Sequence, residues 1–156
     1  MGARVRDSLT PEGRRFFREL EELKKMEVRI GFQRGKAKED DGTDMCDVAA
    51  YNELGTEHIP ARPFIRQSVD DNESKINSFL KEEVKDFTHG KSAEQILKGI
   101  GIFQKDLMQD KITSGSFAPN AESTIKKKGS SKPLVDTGRM RQSVNYVIQE
   151  KGSGDD

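Results

Sequence analysis

The sequence predicts an α+β fold in which two or three main helices pack against a small antiparallel β-sheet, with long loops between them. Three observations predict it. Several stretches repeat apolar residues at helical spacing, two short stretches alternate apolar and polar residues, and the connecting segments are rich in Gly, Pro and charge. A length of 156 residues suits one domain, placed at residues 1–149, followed by a flexible tail at 150–156.

The N-terminal part of the chain begins with a predicted helix and a predicted strand. Thr10 is placed to cap a helix over 10–25 whose first position is a proline. Apolar residues then alternate with polar residues or Gly over 27–33, which is the strongest strand pattern in the chain. A polar loop at 34–44 leads to a short helix over 44–54, which a glycine ends.

The middle of the chain is predicted to be helical. Residues 63–87 keep apolar residues at helical spacing, and a run of polar and acidic residues within them indicates either a solvent-facing middle or a bend. Ser92 is placed to cap a further helix that ends near residue 112. Gly99 and Gly101 each weaken that helix by about 1 kcal/mol relative to Ala, and we expect them to permit close approach of another backbone.

A long loop at 114–133 precedes the last elements, with one helical turn expected around 121–128. A loop of this length is usually functional or disordered. Asp136 or Thr137 is placed to start a short helix, and residues 143–148 have the pattern of a closing strand. Because a two-stranded sheet alone is marginally stable, we expect at least two more strands within the loops.

Composition and charge narrow the class of protein. Hydrophobic residues make up 32% and charged residues 35%, which predicts a thin core. We expect either long exposed helices and loops or burial that neighbouring subunits complete. A net charge of zero argues against a simple polyanion-binding protein. The acidic segment (34–60) has three cations against seven anions, and the basic segment (111–141) has seven cations against two anions. Opposite signs suit a head-to-tail contact between copies, or else two solvated loops.

The sequence gives little support for catalysis, cofactors or membrane insertion. Cys46 is the only cysteine, so no intrachain disulfide is possible, and two histidines argue against a His-based metal site. The acidic run at 39–44 lacks the spacing of a calcium loop. No apolar run spans a bilayer and no secretory signal is visible, so we expect a soluble protein made in a reducing cytosol. A hydrolase using His58 is the weakest alternative.

Two motifs resemble the signatures of a known family. Residues 48–66 read VAAYNELGTEHIPARPFIR, which resembles A-x-Y-N-E-[FL]-G-T-x-x-I-P-A-R-P-F-[LI]-R. Residues 117–126 contain FAPN and STIK, and residues 133–143 read PLVDTGRMRQS. Together these resemble [WF]-x-P-N-x-x-S-T-I-x-x-K followed by K-P-L-[IV]-D-T-G-x-[LM]-x-x-S. Both patterns are those of small neck or tail-completion proteins of long-tailed bacteriophages, in which Trp is common at the position of Phe117.

The resemblance implies a structural virion protein without enzymatic activity or cofactor. It implies a tail-completion or head–tail joining subunit that forms a ring, of six copies by the symmetry of phage tails, at the head-proximal end of the tail. The implied partners are other copies of this chain, head-closure or connector proteins, and tail tube or tail terminator proteins. DNA would pass through the ring without specific binding, and no membrane or small-molecule substrate is implied. Assembly would take place in the cytoplasm of the bacterial host.

The predicted interaction residues lie in these two motifs. An aromatic residue flanked by two arginines on a proline-stiffened segment has the composition of an interface hot spot, although Phe64 would instead start the core of the following helix in the alternative reading. We expect the loop at 114–132 to become ordered only in the assembled ring. The alternative function is a nucleic-acid-binding accessory protein that uses the basic loop 126–132, which lacks aromatic residues for base stacking. The predicted interaction residues are Arg62, Phe64, Arg66, Phe117, Lys126, Lys127, Lys128, Arg139 and Arg141.

Overall fold

The computed structural model describes residues 8–128, 133–135 and 138–154, and these confirm the α+β class. The elements are, in chain order, α1 (Pro11–Lys25), β1 (Met26–Gly31), α2 (Met45–Leu54), α3 (Phe64–Asp70), α4 (Glu73–Thr88), α5 (Ala93–Ser114), α6 (Glu122–Lys128), α7 (Arg139–Ser143) and β2 (Asn145–Glu150). The predicted single domain therefore consists of helices around one small sheet.

Two side-chain caps and one glycine define three boundaries of the first two helices. Thr10 Oγ1 accepts a hydrogen bond from the N–H of Gly13 at 3.1 Å, which caps α1. Asp44 Oδ1 accepts one from the N–H of Cys46 at 2.9 Å, which caps α2. The chain leaves α2 at Gly55, whose φ of 75° is unfavourable for residues with a side chain. All three boundaries confirm the predicted ones.

The helical region predicted over 63–87 divides into α3 and α4, so the bend is the alternative that the structure shows. Helix α5 begins at a capping box, in which Ser92 and Gln95 exchange hydrogen bonds between side chain and backbone. Helices α4 and α5 pack through the stacked rings of Phe79 and Phe103, whose centroids lie 4.1 Å apart. Helix α5 is the longest helix described, and both strands, α1, α3, α4 and α7 pack against it.

The sheet consists of β1 and β2 alone in the part of the chain that the structure describes. The two strands pair antiparallel, with Met26 opposite Glu150 and Gly31 opposite Asn145. The expected two further strands are not found among these residues, where Lys38 and Asp44 form only an isolated bridge. The physical reason is that α5 packs against both strands and supplies the burial that additional strands would have given.

Glycines in α5 allow two side chains to approach closely. A Cβ atom on Gly101 would lie 2.6 Å from the ring of Tyr146, and one on Gly99 would lie 3.3 Å from the carboxylate oxygens of Glu83. The nearest atoms belong to side chains, and at Gly101 they include the Cβ of Tyr146 at 3.1 Å, so strand β2 passes close to α5 there. Glu83 is itself buried and receives two hydrogen bonds from the ammonium of Lys91, at 2.8 and 2.9 Å.

Two apolar clusters form the core. The larger one gathers buried residues from α2, α3, α5, α7 and the loop before α7, and consists of Met45, Ala49, Phe64, Met108, Ile112, Leu134, Met140 and Val144. The smaller one joins α4 and α5 to α1 through Phe87, Ala93 and Ile96, against which Phe16, Leu20, Leu23 and Ile100 pack. No residue of α1 is fully buried, so this helix covers the subunit from outside.

Candidate interaction site

Arg62 joins the two motifs inside the subunit. Its Nε–H donates to the carbonyl oxygen of Ala118 at 2.8 Å, and its Nη2 donates to that of Pro119 at 3.2 Å. Its Nη1 donates to Oδ1 of Asn52, within the first motif, at 3.4 Å. Because the two carbonyls belong to the second motif, one side chain holds together segments separated by 56 and 57 residues.

The guanidinium of Arg62 is buried, since the residue is only 6% exposed. Burial lowers its pKa because the charged form loses hydration. None of the described carboxylates lies within ion-pair distance, and carbonyl oxygens instead receive its N–H groups. The prediction that Arg62 projects towards a partner is therefore wrong, because its donors are occupied in fixing the loop before α6.

Phe64 and Arg66, two residues apart, differ in exposure. Phe64 is 0% exposed and packs in the larger core cluster. The alternative prediction, that Phe64 starts the core of the following helix, is therefore the correct one, and its predicted role as an exposed anchor is wrong. Arg66 is exposed, as predicted. Between them, the carboxylate of Glu53 accepts the N–H groups of Ile65 at 2.8 Å and of Arg66 at 3.1 Å. The sequence analysis missed this cap because Glu53 precedes the start of α3 by eleven residues.

Residues 115–121 are anchored to the subunit rather than free. Phe117 is half-buried and packs against the larger core cluster, and Asn120 is buried. Helix α6 follows, over the residues where one helical turn was expected. The expectation that this loop becomes ordered only in a ring is therefore wrong for its first half, because the core and Arg62 hold that half in place.

The acidic and basic segments partly neutralise each other within one subunit. Arg139 Nη1 lies 2.7 Å from Oδ1 of Asp40 and 3.6 Å from Oε2 of Glu39. Lys111, in the basic segment, lies 2.7 Å from Oδ2 of Asp71. The predicted contact between these segments of different copies therefore loses part of its basis, because these cations already have partners within their own chain.

The remaining predicted interaction residues are exposed or lie outside the description. Lys126 and Lys127 are exposed on α6, whereas the side chain of Lys128 and residues 129–132 are not described. Arg141 is exposed and its Nε–H donates to Oγ1 of Thr113 at 3.1 Å. The predicted caps at 136–137 also lie outside the described residues, and α7 follows Gly138 without a side-chain cap.

A cavity of about 490 Å³ lies where the two motifs meet. Asn52, Arg62, Asn120 and Arg139 contribute to its wall, and His58 lies at the same site. The backbone N–H of His58 donates to Oγ1 of Thr56 at 3.2 Å, and among the described residues its imidazole has no hydrogen bond to a Ser or Cys. Among those residues there is also no group of three His, Cys, Asp or Glu side chains able to hold a metal.

Cys46 is partly exposed, and its surroundings favour the neutral thiol. Burial raises the pKa of its thiol, and the neighbouring carboxylate of Asp44 adds to this shift. A thiol is a poor nucleophile until it loses its proton, so its position at the start of α2 does not make it reactive.

Large apolar side chains are exposed on several helices. They are Leu9, Phe17, Tyr51, Leu54, Val69, Leu80, Val84 and Ile102. Phe17 is 49% exposed, and Leu54 is 74% exposed. The helical spacing of apolar residues did not separate Val69, Leu80 and Val84 from core positions, since only tertiary packing distinguishes the two. Surfaces of this kind are suited to contacts with other proteins.

Comparison with protein-family models, with curated proteins and with solved structures found no match. The family resemblance therefore rests on the two motifs. Within the described residues, no helix combines the length and apolar character required to span a bilayer.

Proposed function

We propose that this protein is a structural subunit of the phage neck, a tail-completion or head–tail joining protein that assembles into a ring. The observation that supports this most directly is the union of the two motifs. Arg62 of the first motif binds the carbonyl oxygens of Ala118 and Pro119 in the second. The residues that carry the family resemblance therefore build one bonded unit.

The surface gives a second line of support. Phe17, Tyr51, Leu54 and Val84 are among the large apolar side chains that remain exposed in a single subunit. Burial of an apolar side chain contributes about 1.5–3 kcal/mol, so these positions favour assembly with other proteins. A subunit with a thin core and such a surface suits a role in which neighbouring copies complete the burial.

Deletion of the gene from a phage or prophage that carries it tests the proposal. We expect electron microscopy to show filled heads and separate tails that fail to join, and a plasmid copy of the gene to restore joined particles. The matched control is a plasmid copy with Lys75→Ala, a change at an exposed position of α4 that lies outside the predicted interaction residues. Normal infectious particles from the deletion strain would overturn the proposal, and long or unfinished tails would move the site of action to the tail end.

A further inference from the structure

Helix α1 carries an exposed surface rich in arginine. Leu9, Arg14, Phe17 and Arg18 line one shallow groove, and we call them the arginine face. Leu9 and Phe17 are about half exposed, and both arginines are exposed. Aromatic and arginine side chains together form the usual composition of a binding hot spot.

Glu19, Glu21 and Glu22 line the same groove, but each of these carboxylates has another partner. Glu21 and Glu22 form ion pairs with the lysines one turn later in the helix, at 2.8 and 3.4 Å. The carboxylate of Glu19 accepts the N–H of Ala93 at 2.8 Å, which joins α1 to α5. Within the described part of the chain, neither arginine of the face has a carboxylate partner; Arg14 donates to the carbonyl of Leu9 at 3.1 Å. The arginine face therefore offers positive charge beside apolar surface.

Helix α2 carries a surface of the opposite kind. Tyr51 and Leu54 are exposed one turn apart near the end of the helix, and Glu57 is exposed shortly after it; we call these three residues the carboxylate face. Leu54 is more exposed than any other large apolar side chain described. Residues 44–57 contain four acidic residues and no Lys or Arg, and only Asp47 among them forms an ion pair with another described residue, Arg34.

The two faces lie on helices that pack against different elements of the subunit. Helix α1 packs against α5 and β1, whereas α2 packs against α3 and α7. A contact between unlike surfaces of identical subunits is heterologous, and it closes into a ring when the rotation between neighbours allows. One arginine face and one carboxylate face per copy are therefore sufficient to build a ring.

We propose that the arginine face of one copy docks against the carboxylate face of the next copy. Phe17 and Leu9 would cover Leu54 and Tyr51, and the guanidinium groups would approach Glu57. The pairing buries the most exposed of the described apolar side chains and places the two arginines of the face beside one carboxylate, that of Glu57. It rests on the proposed ring-forming function and replaces the contact between acidic and basic segments expected from the sequence.

Site-specific cross-linking in phage particles tests this contact. Particles are produced with the double variant Phe17→Cys, Leu54→Cys and exposed to a mild oxidant. We expect disulfide-linked multimers on a non-reducing gel, because each copy then carries both halves of the contact. Each single variant should stay monomeric, since a heterologous contact does not bring two copies of one residue together. The unsubstituted chain, which retains Cys46, controls for reaction of that thiol.

A second pair controls for random collision. Phe17→Cys, Val84→Cys places the second thiol on another exposed apolar side chain, which lies outside both faces. We expect no multimers from it. Dimers from Phe17→Cys alone would overturn the proposal in favour of a symmetric contact, and equal multimers from both double variants would overturn its specificity.

Charge exchange provides an independent measurement. Arg14→Glu, Arg18→Glu places like charges across the contact and should lower the yield of joined particles at least about tenfold. Adding Glu57→Arg should recover most of that yield, because attraction is restored with reversed signs. If the triple variant joins no better than the double variant, the proposed pairing is wrong.

The outcomes separate this contact from the function on which it rests. Joined particles that contain the protein but give no Phe17–Leu54 cross-link would overturn the contact and leave the neck function standing. A deletion strain that yields normal particles would overturn the function itself. A disulfide between the Leu54→Cys thiol and a different neck protein would show that the carboxylate face binds that protein. This result would likewise overturn the proposed contact between copies.

Discussion

Arg139 Nη1 lies 2.7 Å from Oδ1 of Asp40, so an ion pair links α7 to the acidic loop that follows β1. This relationship changes the meaning of the charge pattern along the chain. Segments of opposite sign that suggested contact between copies have part of their charge paired within one copy. Charge available for partners must therefore be sought where no internal pair exists, as on the arginine face of α1.

The Arg139–Asp40 pair should contribute little stability, since Asp40 has a side chain that is 85% exposed. A double-mutant cycle with Arg139→Gln and Asp40→Asn should give a coupling free energy of about 0.2–1 kcal/mol in urea unfolding. The coupling should weaken as salt is raised. As a control, Asp41→Asn combined with Arg139→Gln should be additive. A coupling above about 2 kcal/mol would contradict a surface pair.

Replacing Arg62 should destabilise the subunit itself. Arg62→Ala leaves the carbonyls of Ala118 and Pro119 without their donors, which we expect to cost about 2–4 kcal/mol of unfolding free energy. Arg66→Ala should change that free energy by no more than about 0.5 kcal/mol, because Arg66 is exposed. Urea titrations followed by circular dichroism measure both. Equal stability of the two variants would show that Arg62 does not hold the motifs together.

The two glycines Gly101 and Gly13 should respond oppositely to the same substitution. Gly101→Ala places a Cβ 2.6 Å from the ring of Tyr146, and the resulting displacement should cost about 1–3 kcal/mol. Gly13→Ala meets its nearest neighbour, Thr10 Oγ1, at 3.4 Å and should stabilise α1 by about 0.5–1 kcal/mol. Thermal unfolding of both variants provides the comparison. Stabilisation by Gly101→Ala would mean that the Tyr146 ring does not lie against α5.

Asp44 should make stability depend on acid pH. Hydrogen bonds from the N–H groups of Cys46 and Gly35 lower the pKa of its carboxyl below the ordinary value of about 3.9. A lowered pKa in the folded state contributes stability above the unfolded value, and this stability is lost as pH falls through the folded value. Asp44→Asn keeps a capping oxygen without the charge. The stability difference between the two chains should therefore shrink as the pH falls below about 5, and a constant difference would contradict this role.

The exposed lysines of α6 should affect assembly without affecting the fold. Lys126→Glu, Lys127→Glu should leave the unfolding free energy within about 0.5 kcal/mol of the original and reduce the yield of joined particles. Lys75→Glu, Lys81→Glu, on the exposed side of α4, is the matched control. Unimpaired joining would remove α6 from the interface. DNA binding with a steep salt dependence that this change abolishes would instead favour the nucleic-acid alternative.

Local signals in the sequence predicted the helix boundaries well. The predicted caps at Thr10 and Ser92 and the predicted stop at Gly55 lie at the observed ends of α1, α5 and α2. Such signals act over three or four residues, and the chain needs no tertiary contact to express them. The short α6 was likewise anticipated from residues close together in sequence.

Long-range relationships could not be predicted in the same way. The carbonyl oxygens that accept from Arg62 lie 56 and 57 residues away, and no local sequence pattern indicates these hydrogen bonds. The sequence therefore predicted an interface role for Arg62. The sequence around Phe64 fits either an exposed interface anchor or a core residue. Its packing in the larger core cluster shows that it is a core residue. The number of strands depended on α5 covering the sheet, which the hydrophobic pattern of the strands does not encode.

The proposed ring at the neck can be observed directly by cryo-electron microscopy of joined particles from a phage that carries this gene. We predict a closed ring of copies between the head connector and the tail tube, with α1 of each copy facing α2 of its neighbour. Joined particles whose neck contains no density for this subunit would contradict the proposed function. A ring with different helices at the contact would contradict the proposed pairing alone.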